Sequence, residues 1–336
     1  MIWLDNSRVI AVFAVVLIHV AMGVVLTNDI GTEYWWIGNV YDSISRWCVP
    51  VFVMISGALL LDGNKQESSI IFYNKRLSKI LIPILFWTVF YVLWHIVKSH
   101  ILGSEVTTSG IVEKLLTGTP HYHMWYMYMI IGLYVFTPFF RKIVVNSSNQ
   151  EIKQIVVISL FFSALTYAFG YIYPSGPSLF ITSFLYYVPF FFLGNLIMRE
   201  DYTPPKVVLW GVFLSSSVLT SVGCYILALN TDLSTGMYFY GFMSISVIPM
   251  SISAFYLLKH QTAPILNINL TKQLSILTFG VYLIHPVFLE VINFLKLGAM
   301  SFHPLISVPV ITSVVFIASL TATWLLSRIP YFKKLV

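Results

Sequence analysis

RVIAVFAVVLIHV, residues 8–20, decides the fold. Continued to about residue 28, this aliphatic run matches the roughly 20 apolar residues that a helix needs to cross a bilayer's hydrocarbon core. It opens on Arg8 and carries His19 deep inside. Lipid excludes ionisable side chains unless they face a protein interior or a water-filled cavity. At 100° per residue, eleven steps turn the helix by about 1100°, within about 20° of whole turns, and advance it by about 16 Å. Guanidinium and imidazole therefore project from one face. Taken singly, Arg8 also suits a headgroup anchor and His19 a hydrogen-bonded packing residue.

Composition extends this to the whole chain. Of 336 residues, 58% are hydrophobic and only 10% are charged, against about 25% charged in a soluble domain. Mean hydropathy is +0.84, and the abundant Phe, Tyr and Trp suit helix ends at the headgroups. The fold class is all-α, a polytopic membrane protein. Ten spans are expected, at about 8–28, 38–61, 79–97, 123–140, 154–173, 179–198, 207–229, 237–258, 273–295 and 304–327, with PSGPS (174–178) turning the chain between the fifth and sixth. No internal repeat or low-complexity linker appears, so a single membrane-embedded domain over 1–336 is expected. Arg8 alone is a poor signal-peptide n-region, and the first helix is expected to be retained.

Lys and Arg set the expected orientation. With the N-terminus cytoplasmic, 15 of the 19 cations, Lys65 among them, fall on the cytoplasmic side. Only Arg46, Lys98, Lys114 and Lys296 fall outside. Both termini are therefore expected in the cytoplasm, and the basic pI reflects topology rather than nucleic-acid binding. Cys48 and Cys224 have no metal-type or disulfide spacing, so no metal is expected.

Other polar residues interrupt the apolar runs. Arg46 lies four residues after Asp42, in reach of an ion pair, and Ser56-Gly57 permits close helix packing. Arg76 and Lys79 are neighbours at a helix start and join Arg8 as candidate phosphate ligands. His121 and His123 adjoin Trp125 and Tyr126 at the expected outer boundary, where an aromatic belt or a sugar-binding cleft would use such residues. His285 lies at a depth like that of His19, and Glu290 is turned about 140° from it, so the two need not share a site. Gly-x-Gly, Gly-Lys, HExxH and GxSxG are all missing, which removes nucleotide-loop, zinc-protease and serine-elbow chemistries.

WLDNSRVIAVFAVVLIHV (3–20) with its Arg-x10-His, SRWCVPVFVMISGALL (45–60), NKRLSK (74–79), HMWYMY (123–128) and VYLIHP (281–286) together resemble acyltransferase family 3. These are integral-membrane acyltransferases that modify bacterial surface glycans. The chain is similar, within the family, to stand-alone O-acetyltransferases of enterobacterial common antigen or O-antigen. The resemblance implies acetyl-CoA as the cytoplasmic donor, His19 as the catalytic residue, and Arg8, Arg76 and Lys79 at the CoA phosphates. Relatives often carry Arg-x-x-Arg where this chain has Arg76-x-x-Lys79, a point charge in place of a bidentate fork. Arg46, His123 and Trp125 are expected at the substrate. The implied acceptor is a hydroxyl of a surface polysaccharide such as lipopolysaccharide O-antigen, or of its lipid-linked precursor, at the bacterial inner membrane. A pantetheine arm spans roughly the Arg8–His19 distance, so His19 would meet the thioester as general base or acyl carrier. The competing expectation is a transporter or flippase of a lipid-linked glycan, with His and Glu coupling protons.

Overall fold

The computed structural model describes residues 1–63, 67–172 and 180–336, except the side chains of 77 and 78. The expected turn at 174–178 and Lys65 lie outside the described residues. Regular structure among the described residues is entirely helical: α1 (Ile2–Thr27), α2 (Glu33–Ser45), α3 (Cys48–Leu60), α4 (Ser69–Ile101), α5 (Thr108–Leu116), α6 (Trp125–Asn146), α7 (Asn149–Ile172), α8 (Val188–Arg199), α9 (Lys206–Asn230), α10 (Leu233–Gly236), α11 (Val247–Lys259), α12 (Ile268–Phe294) and α13 (Pro304–Arg328). A 3₁₀ segment, Phe180–Tyr187, leads into α8. Nine apolar stretches among the described residues are long enough to cross a bilayer. They are α1, α2 with α3, α4, α6, α7, the 3₁₀ segment with α8, α9, α12 and α13.

Several helices begin well before their expected spans. The Ser68 hydroxyl caps α4 by accepting from Ile71 N at 3.4 Å, so the helix starts at Ser69 rather than near 79. Asn267 Oδ1 likewise accepts from Leu270 N at 2.8 Å, ahead of the expected 273. Hydropathy marks the part of a helix that suits lipid, whereas side-chain caps mark where the helix begins.

The expected span 237–258 is corrected by the structure. A 3₁₀ turn, Met237–Tyr240, gives way to irregular backbone, and only α11 remains, 13 residues long. At 1.5 Å per residue that is about 20 Å, too short for a span. Hydroxyls explain the interruption. Ser244 Oγ donates to Phe239 O at 3.2 Å and accepts from Val247 N at 3.2 Å. Thr220 on α9 donates to Ser246 Oγ at 2.9 Å. The non-helical backbone is thereby satisfied inside the protein, as apolar surroundings require.

α1 occupies the centre, packed against α2, α3, α11, α12 and α13. Its buried residues, from Trp3 to Val25, surround the helix rather than forming one stripe. α3 and α8 approach most closely. A Cβ on Gly57 would overlap the carbonyl oxygen of Phe191, and one on Gly194 would overlap that of Met54. The expected close packing at Gly57 is present, and its partner is α8. The span containing α3 breaks in its middle, because Pro50 in the first turn of α3 has no N–H to continue the α2 ladder. Arg46 and Trp47 sit at this break.

Candidate active site

Two cavities lie end to end in the bundle. α1 contributes Arg8 and Val15 to the first, and Met22 and Leu26 to the second. α4 contributes Arg76 and Lys79 to the first, and Trp94 and Lys98 to the second. α12 divides in the same way, Thr278 and Tyr282 against Glu290 and Phe294. The first cavity holds about 530 Å³ and the second about 830 Å³. Both are lined by Ile18, His19 and Arg46.

The seven residues expected at catalysis, the donor's phosphates or the substrate all line the first cavity: Arg8, His19, Arg46, Arg76, Lys79, His123 and Trp125. Arg8 from α1 shares it with Arg76 and Lys79 from α4. Arg8 Nη1 is 3.4 Å from Asp5 Oδ1 and from Ser275 Oγ, which aims the guanidinium without saturating its five donors. Arg76 Nε has no hydrogen-bond partner.

His19 is half-buried. Its ring lies 4.7 Å from that of Tyr122 and stacks on His285 at 5.2 Å, with 21° between planes. His285 is fully buried. Its Nδ1 is 2.7 Å from Tyr282 O and 3.2 Å from Val281 O. Carbonyls only accept, so Nδ1 carries the proton and Nε2 is left a bare acceptor without a partner. His285 lines neither cavity, so it backs His19 rather than meeting a ligand.

Trp125 and His123 reach the first cavity but not the second. His123 is buried, because the turn before α6 folds inward against Tyr91, Tyr282 and His285. The second cavity has its own polar cluster, which sequence reasoning left unassigned. Glu290 Oε1 accepts from Lys98 Nζ at 2.9 Å and lies 3.2 Å from His121 Nε2, while Oε2 accepts from Trp94 Nε1 at 2.8 Å. A carboxylate inside an apolar helix was its signal.

Among the described residues no group of three or more His, Cys, Asp and Glu is arranged to hold a metal ion. A half-buried imidazole open to two cavities, one of them basic at its far end, suits group transfer between two ligands. Residues 1–328 match the family model for an acyltransferase domain, and the chain belongs to acyltransferase family 3. It is accordingly a multi-pass membrane acyltransferase. No curated protein and no solved structure matches the chain.

Proposed function

We propose that the protein transfers an acetyl group from acetyl-CoA, held in the first cavity, to a hydroxyl of a surface glycan or its lipid-linked precursor in the second. The observation that carries this is that His19 lines both cavities. Arg8, Arg76 and Lys79 suit the donor's phosphates, which stay outside the apolar interior. The roughly 16 Å from Arg8 to His19 along α1 suits the pantetheine arm. His19 takes the proton of the attacking hydroxyl and returns it to the leaving sulfur. With Arg8, Arg76 and Lys79 facing the cytoplasm, both termini are cytoplasmic and the second cavity faces the outer side of a bacterial inner membrane.

Glu290, Lys98 and Trp94 then receive the acceptor, offering a carboxylate, an ammonium and an indole face to a polyhydroxylated group. Leu26, Ile101, Leu102 and Phe294 at the second cavity are each more than half exposed, which suits an acceptor anchored in lipid. His123 and Trp125 line the donor's cavity and are assigned there instead. Membership of an acyltransferase family favours transfer over glycan transport.

Sealed vesicles of defined orientation test the arrangement. Labelled acetyl-CoA supplied only on the cytoplasmic face should label glycan recovered from the opposite face, and acetyl-CoA supplied to the other face should label none. Labelling by acetyl-CoA supplied on the opposite face would overturn the assignment of the cavities.

Two variants follow. Arg8→Ala removes a charged phosphate contact worth about 1.5–3 kcal/mol, so KM for acetyl-CoA should rise about 10- to 150-fold with kcat less affected. Glu290→Gln should raise KM for the glycan acceptor and leave KM for acetyl-CoA near wild type. Steady-state kinetics in membranes, varying each substrate in turn, would detect a reversed pattern.

A further inference from the structure

Arg46 is the other polar side chain shared by both cavities, and its surroundings differ from those of a surface anchor. It sits at the break between α2 and α3, midway along one span, and is 8% exposed. Nε donates to Asp42 Oδ1 in a short ion pair. The guanidinium lies 4.5 Å over the ring of Tyr240. Tyr240 donates to Asn39 Oδ1 at 2.7 Å, and Asn39 donates to Ser221 O at 3.0 Å. Asp42, Asn39, Tyr240 and Ser221 line neither cavity. Arg46 is therefore held by groups outside the cavities while itself lining both.

Nη2 has no partner. Arg46 lines the two cavities where His19 does, which places a fixed cation beside the group that would react there. We propose that Arg46 is a catalytic residue that holds the acyl oxygen as it becomes negative during transfer. The inference rests on the acyl-transfer reading above and adds the group that stabilises charge. The acceptor oxygen bonds to the acyl carbon as the carbonyl π pair moves onto oxygen, where the Arg46 guanidinium donates to it. That pair then returns, the C–S bond breaks, and its electrons leave on sulfur. The hydroxyl proton passes through His19 to that sulfur, so protons and electrons balance. A fixed cation facing the oxygen needs no reorganisation during reaction, which is the source of its effect.

The test uses the full-length protein in membranes with labelled acetyl-CoA. Arg46→Gln should lower kcat by about 10²–10³-fold, the cost of losing one oxyanion donor, with KM for acetyl-CoA within about threefold of wild type. Guanidinium ion added to Arg46→Ala should restore transfer at least about tenfold, a rescue that a merely structural role does not permit. If Arg46→Ala fails to accumulate, Arg46→Lys decides, with kcat expected to fall at least about tenfold. Unchanged kcat in Gln or Lys variants, loss confined to KM, or absence of rescue in a folded Ala variant overturns the proposal. Absence of transfer by wild-type protein would instead overturn the acyl-transfer reading beneath it.

Discussion

His19→Ala lowers acyl transfer by roughly 10²–10⁴-fold, the span that one positioned acid–base group supplies, while the protein still inserts. His19 is the imidazole reached from both cavities, so no neighbour substitutes for it at that point. His285, 5.2 Å away ring to ring, is sealed behind it, with Nδ1 committed to Tyr282 O. His285→Phe therefore keeps a flat wall behind His19, and transfer should fall much less than in His19→Ala. Transfer of labelled acetyl from acetyl-CoA to glycan, normalised to the protein in the membrane, measures both. The reverse order, with His285→Phe inactive and His19→Ala active, would give the base role to His285.

Gly194→Val should leave little folded protein. The α3–α8 contact brings backbone against backbone, so a side chain at Gly194 meets the Met54 carbonyl, which no rotamer change can move. Overpacking in a filled core costs about 1–3 kcal/mol and sometimes more. A fixed carbonyl puts this site at or above the upper end. Gly57→Ala should destabilise through the reciprocal contact with Phe191. The two changes separate the same helices, so Gly57→Ala with Gly194→Ala should cost less than the sum of the single changes. Gly211→Ala on α9 is the control. A Cβ there meets nothing within 4 Å, and Ala is favoured over Gly in a helix by about 1 kcal/mol. Thermal unfolding of the detergent-solubilised variants orders them; equal losses at Gly194 and Gly211 would sink the packing argument. Loss of activity should accompany the loss of fold, because Phe52, Ile55 and Ser56 of α3 line the first cavity.

Much of the site was readable from one helix at a time. The shared face of Arg8 and His19 follows from helical geometry alone, and both do line one cavity. The Asp42–Arg46 pair was readable from i,i+4 spacing in the same way. Glu290 was visible as a carboxylate in an apolar run, but no rule of spacing joins it to Lys98, Trp94 and His121, which arrive from elsewhere in the chain. The inward fold of His121 and His123 escaped because adjacent aromatics also describe a headgroup belt.

Composition and hydrophobic period by themselves determined a helical membrane protein and all but one of its expected spans, since both are sums over neighbouring residues. The broken 237–258 segment and the midspan break at Arg46 depended on hydroxyls, a proline and partners in other helices, which no local average registers. Only the tertiary structure decided that two cavities meet at His19 and Arg46. That meeting needs α1, α4 and α12 brought around the same space, and their relative placement is set by contacts between residues hundreds of positions apart.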